Sequence, residues 1–283
     1  MPMKLAIIGD SLGMDRETEP EGTPRNLVWP MLIANGNRTF SIINKCQRAR
    51  MMCSVPEDLL RVIAAGADVI VIQVGVVDCA PRVFSKADQT IFDQLSDVAH
   101  SKLLPLVKEQ RVNLINNYPL IVYLELSEFA EYVSKIVKYA MYFEVPIIFV
   151  SIIRTKTMDS KLPGWFGRAF EYNRILQNAS KHSYIYFFDA DSCFADQGNG
   201  ELYCQDCHHM STYAHSFFAE NIIKFFEKEF KCTFPLKQAI VAIRRIFISR
   251  FFLIQYTWDK VLRKMKWVKR RLIKICDINH APK

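Results

Sequence analysis

The sequence predicts a three-layer α/β/α sandwich built on a five-stranded parallel sheet, followed by a basic helical extension at the C-terminus. Three observations carry that prediction. Five short runs rich in β-branched and aromatic residues, at positions 4–8, 39–44, 68–74, 146–151 and 183–189, have the composition of strands. Runs such as Val69-Ile70-Val71-Ile72 are apolar without alternation, which suits strands covered on both faces. Helix-like patterns separate the five runs, and alternation of strand and helix is the signature of a parallel sheet.

At 283 residues, half of them apolar, the chain can build one sizeable α/β domain and an appendage. The predicted organisation is a domain over residues 1–232 and a tail over 233–283, divided near Lys231 to Pro235, where the composition changes. Residues 83–123 form a long, partly helical excursion after the third strand, which places it beside a ligand site as a lid or as a packing elaboration. From Thr233 onward there are 13 Lys and Arg against two Asp and Glu, so the tail carries +11, the body −3, and the chain's net +8 belongs to the tail. A local basic, aromatic terminus argues against a nucleic-acid binder and for a confined interaction surface.

Within that tail Val261, Leu262, Met265, Val268, Leu272 and Ile275 recur at helical spacing, with basic residues mainly between them. This pattern predicts that residues 237–275 meet an anionic membrane surface; packing on the domain or on a second copy is the plain alternative. No uncharged apolar run approaches the roughly 20 residues that a bilayer span needs, and the stretch before Gly9 is too short for a signal peptide. The expected location is therefore cytoplasmic, peripheral on the inner face of the membrane. Eight cysteines are then read as reduced thiols. A single Cys204-x-x-Cys207 pair makes a poor zinc site, so neither metal nor cofactor is expected.

In open parallel sheets the ligand crevice lies beyond the carboxyl ends of the strands, so chemistry is sought there. The first strand runs into Gly9-Asp10-Ser11-Leu12-Gly13, which puts a serine hydroxyl where the chain leaves the sheet, with glycines to permit a tight turn. A serine hydroxyl is a weak nucleophile at neutral pH and needs an adjacent base, most often histidine. The best source of one is Asp206-Cys207-His208-His209-Met210-Ser211, ahead of a helix-like stretch over 212–230. His209 is the chosen base and His208 the competitor; Asp206, three residues before His209, can turn back to orient its imidazole. His100, His182 and His215 have no companion motif and are assigned no role.

These residues resemble the SGNH or GDSL hydrolases, whose members carry a Gly-Asp-Ser-Leu motif near the start and Asp-x-x-His near the end. The resemblance spans residues 1–230 and implies an SGNH, flavodoxin-like fold with Ser11, Asp206 and His209 as the triad of an ester hydrolase. Gly75-Val76-Val77-Asp78 falls where the family has Gly-x-Asn-Asp, and Tyr172-Asn173 falls in the expected later helix. By the same resemblance Ser11 and Gly75 belong to the oxyanion and substrate region, with Asp78 beside them; read on its own, Asp78 caps a turn and Cys79 packs.

Two departures concern the oxyanion hole, which needs donors already in place. Lys45-Cys46-Gln47-Arg48-Ala49-Arg50 follows the second strand without the family's glycine, and Val77 stands where the family has asparagine. Arg48 and Arg82, both expected just beyond strand ends, are candidates to supply charge to the oxyanion or to grip an anionic sugar, and backbone N–H groups near Arg48 are a further source. The resulting expectation is a serine ester hydrolase, with a carbohydrate O-acetyl group as the substrate. A ligand-binding protein with a degenerate oxyanion hole, an acyltransferase, and an assembly subunit of a membrane complex are the alternatives.

Overall fold

The computed structural model describes residues 2–16, 22–36, 40–195, 203 and 208–230. Asp206, Cys204, Cys207 and the basic tail lie outside the described residues. Strand β1 (Met3–Gly9) leads through a 3₁₀ turn at Ser11–Gly13 to helix α1 (Trp29–Gly36) and strand β2 (Phe40–Asn44). Helix α2 (Val55–Ala64) leads to β3 (Val69–Gln73) and a one-turn helix α3 (Val76–Cys79). The excursion that follows holds α4 (Lys86–Asp93), α5 (Asp97–Glu109) and α6 (Arg111–Asn117). After it come α7 (Leu126–Phe143), β4 (Ile147–Val150), α8 (Lys156–Lys161), α9 (Trp165–Ala179), β5 (Ile185–Phe188), α10 (Ala190–Ala195) and α11 (Thr212–Phe230).

All five strands pair in parallel in the order β2-β1-β3-β4-β5. Given this order, the right-handedness of crossovers decides which face each helix covers. A right-handed connection from β1 to β2 puts α1 on one face; connections stepping the other way, from β2 to β3, β4 and β5, put α2, α7 and α9 on the opposite face. Helix α11 then returns to pack on α1, where Trp29 and Phe218 meet with ring centroids 4.8 Å apart. Both faces are thus covered, and every residue of β3 and β4 is buried. Edge strand β2 is only half-buried. Among the described residues no helix is long and apolar enough to cross a membrane.

The excursion is pinned at its base. Arg82 N–H donates to the Ile121 carbonyl at 2.9 Å in an isolated antiparallel bridge, and the Tyr172 hydroxyl donates to the Leu124 carbonyl at 2.5 Å. Its two ends therefore start and finish beside the carboxyl end of β3, while α5 and α6 bury no residue of their own. The Ser85 side chain caps α4 in a reciprocal capping box with Asp88, and the Ser96 side chain caps α5, so these helices are set by local signals rather than by the core.

Candidate active site

Ser11 sits on the turn that leaves β1. Asp10 fixes that turn: its backbone N–H donates to the Gln73 carbonyl at 3.0 Å, and its side chain accepts from Leu12 N–H at 2.9 Å. The next strand's loop is tied to the same place by Gln47 N–H donating to the Gly9 carbonyl at 3.0 Å. Neither Gly9 nor Gly13 has a positive φ, which corrects the expectation that they permit a tight turn. They are needed for space. A Cβ on Gly13 would lie 2.4 Å from Cys46 Sγ, and one on Gly9 would lie 2.7 Å from the same sulfur.

From the far end of the chain, the segment ahead of α11 brings His209 Nε2 to 3.1 Å from Ser11 Oγ. Met210, buried against the core, and Ser211, whose hydroxyl accepts from Ala214 N–H at 3.1 Å, anchor that segment to the start of α11. His208 packs edge-on against His209 with ring centroids 4.6 Å apart and lines the same cavity, and it is His209 that contacts Ser11. His215, one turn further on, is buried and accepts from Trp29 N–H at Nδ1 over 3.2 Å. Burial first, and the neighbouring His209 second, lower its pKa to about 4, so it is a neutral structural acceptor.

Ser11 and His209 open onto a cavity of about 550 Å³. Val77 lines it with an apolar side chain, so no asparagine-type donor comes from that position. Ala49 lines it too, and its φ of 54° places an L-residue in the left-handed region at the third position of a turn closed by Arg50 N–H to the Gln47 carbonyl. Turns with positive φ there ordinarily take glycine, and alanine costs about 1 kcal/mol or more. Neither Ser11 N–H nor Ala49 N–H has an acceptor among the described residues. This conformation leaves no trace in the letters around Ala49, which is why it escapes a sequence reading.

Two expected site residues are not at the cavity. Gly75 is buried behind it with φ 129°, and a Cβ there would meet Ile152 Cδ1 at 2.7 Å, so it serves the entry to α3. Asp78 is fully buried and accepts Met52 N–H on both oxygens at 3.0 and 3.2 Å. Burial raises its carboxyl to about 7, as it does the carboxyl of Asp10, whose Oδ2 is buried without a partner. Asp78 thus holds the loop after β2 against α3, and Cys79 packs in the core. Asn173 likewise clamps the end of β4, accepting from Ile152 N–H at 2.6 Å and donating to its carbonyl at 2.9 Å.

Arg48 and Arg82 do line the cavity, and among the described residues they are joined by Arg16, Arg111 and Lys161. Arg111 and Tyr123 come from the excursion, as its position after β3 allows.

A serine hydroxyl facing a histidine at the carboxyl edge of a doubly wound parallel sheet lies where such sheets bind their ligands. No protein-family model matches the chain, and no curated protein sequence does. Solved structures do. The lipase/acylhydrolase from Enterococcus faecalis is 16% identical with a TM-score of 0.53, covering 80% of this chain and 96% of that one. LAE5, an α/β hydrolase enzyme from the metagenome of Lake Arreo, Spain, is 14% identical with a TM-score of 0.53, covering 78% of this chain and 94% of that one. A catalytic mutant of Axe2, an acetylxylan esterase from Geobacillus stearothermophilus, is 16% identical with a TM-score of 0.51, covering 79% of this chain and 94% of that one. The chain has the SGNH/GDSL hydrolase fold.

Proposed function

We propose that this chain is a serine ester hydrolase in which Ser11 is the nucleophile, His209 its general base and Asp206 the residue that orients His209. The 3.1 Å approach of His209 Nε2 to Ser11 Oγ at the mouth of the cavity carries the proposal. In the reaction Ser11 Oγ bonds to the ester carbonyl carbon while its proton passes to His209 Nε2. The resulting oxyanion is received by the backbone N–H groups of Ser11 and Ala49. Collapse of the intermediate breaks the ester C–O bond, and the alcohol leaves with the proton from His209. Water, deprotonated by His209, then bonds to the acyl carbon, the Ser11 Oγ–acyl bond breaks to free the acid, and His209 returns the proton to Ser11 Oγ.

Pre-paying the strain at Ala49 is how a chain without the usual glycine and asparagine keeps a second donor. A carbohydrate O-acetyl ester is the favoured substrate, supported by the likeness of fold to an acetylxylan esterase and by a cavity lined with both apolar and basic side chains. The basic tail would hold the enzyme at an anionic membrane surface, which salt-sensitive flotation with anionic liposomes tests.

Reaction with a fluorophosphonate probe, followed by intact mass, tests the catalytic reading. Wild type should gain one label, and Ser11→Ala and His209→Ala should not. A folded wild type that stays unlabelled would favour a ligand-binding protein, the reading that Val77 and the missing glycine support.

A further inference from the structure

We infer that the ester this site takes carries an anionic group, a phosphate or a carboxylate, seated between Arg82 and Arg111 where the excursion meets the cavity. The inference rests on the hydrolase reading for the word ester, but the anion site stands on its own geometry.

Arg82 is half-buried and held in one pose. Its Nη2 donates to the Val77 carbonyl at 3.1 Å, and its guanidinium lies over the Tyr123 ring, 4.5 Å from the centroid. Its Nε is buried and has no acceptor. Arg111, at the first turn of α6, borders the same cavity and is also half-buried. Among the described residues no carboxylate forms an ion pair with either guanidinium. Burial and the charge of Arg82 both push the Arg111 pKa down, so the two cations feel one another. The carboxyl that Arg82 does feel, Asp78, has both oxygens on Met52 N–H and is raised to about 7 by burial, so at neutral pH it is an incomplete counter-charge.

Two guanidinium cations that border the same partly desolvated cavity repel one another, and a bound oxyanion offsets that repulsion. Guanidinium forks match the oxygens of phosphate and carboxylate, and the Tyr123 ring under Arg82 holds that fork in place. Arg82, Arg111 and Tyr123 also border a second recess of about 230 Å³, where Phe84, Phe92 and Leu104 form an apolar part of a wall that Gln89, His100 and Lys108 share. The charged group would therefore sit at a threshold, with the ester reaching toward Ser11 on one side and space for an apolar portion on the other.

The test uses the full-length Ser11→Ala protein, which cannot turn substrate over, titrated calorimetrically with phenyl phosphate, benzoate and benzyl alcohol. Either or both anions should bind at least tenfold more tightly than the neutral alcohol, more weakly as salt is raised, and the tighter of the two identifies the group. Arg111→Gln, at a half-exposed helix start, should weaken anion binding at least tenfold, and Arg82→Lys, which keeps the charge but loses the fork, should weaken it measurably. Equal affinity for the neutral alcohol, or anion binding indifferent to Arg111→Gln in a protein with unchanged thermal unfolding, would overturn the inference. A failed fluorophosphonate reaction would remove the hydrolase reading and leave these titrations untouched, so the two failures are distinct.

Discussion

Gly13→Ala is the substitution whose outcome can be worked furthest from the structure. The added Cβ would lie 2.4 Å from Cys46 Sγ, 3.5 Å from Cys46 Cβ and 3.4 Å from Trp29 Nε1. Apolar atoms settle at about 3.5 to 4 Å, so the sulfur must retreat by about 1 Å or more. Its backbone cannot follow easily. Lys45 N–H is bonded to the Ile7 carbonyl at 2.7 Å, Cys46 N–H to Asn44 Oδ1 at 2.9 Å and Gln47 N–H to the Gly9 carbonyl at 3.0 Å. Either Cys46 leaves its rotamer or the turn carrying Ser11 is pushed off β1. Overpacking of this kind costs about 1 to 3 kcal/mol. A displacement of Ser11 by about 1 Å would also slow acylation on the order of a hundredfold. Cys46→Ala removes the obstructing atom, so Gly13→Ala should be nearly neutral in that background, with a coupling of about 1 to 3 kcal/mol between the two sites. Urea unfolding of wild type, both single variants and the double variant measures the coupling, and fluorophosphonate labelling rates measure the displacement. If the two substitutions add to within about 0.5 kcal/mol, close approach of Cys46 is not why glycine occupies position 13.

Three further expectations follow from the same geometry. Ala49→Gly should leave stability unchanged or raise it by up to about 1 kcal/mol in chemical denaturation, because it relieves the left-handed backbone, whereas Ala49→Val should destabilise by about 1 to 2 kcal/mol; the opposite ranking would remove strain as the property of that turn. Gly75→Ala combines a φ of 129° with a Cβ placed 2.7 Å from Ile152 Cδ1, so a loss of about 2 kcal/mol or more is expected, with partial recovery on adding Ile152→Val. Because burial raises the Asp78 carboxyl from 3.8 to about 7, the folded chain keeps a proton between those values that the unfolded chain has released. Stability therefore falls as pH rises through that window, and Asp78→Asn should flatten the decline in Tm between about pH 4 and 7; an unchanged slope would show that Asp78 is not its source.

Much of the site was legible because its parts lie at the ends of recognisable strands and helices. Ser11 follows an apolar run that could only be a buried strand, and His209 precedes a helix whose apolar face has to return to the sheet. Arg82 was legible for the same reason, lying just past the third strand. Ala49 was not, since its role depends on a backbone angle that no residue type in the turn announces. Gly75 and Asp78 occupy motif positions at the correct strand end, yet their burial turns them to Ile152 and to Met52 N–H instead of toward the cavity.

The sequence by itself determined the five strands, their parallel sheet and the two residues that meet across it, because apolar periodicity and strand-end position are local properties that side-chain chemistry dictates. Only the tertiary structure decided what else shares that space. Gly9 and Gly13 are confined by a sulfur more than 30 residues away, and Arg111 and Tyr123 reach the cavity because a bridge from Arg82 to Ile121 closes the base of the excursion. Such juxtapositions arise when the chain folds back on itself, and contacts between residues distant in sequence are set by packing as a whole rather than by any stretch of residues alone.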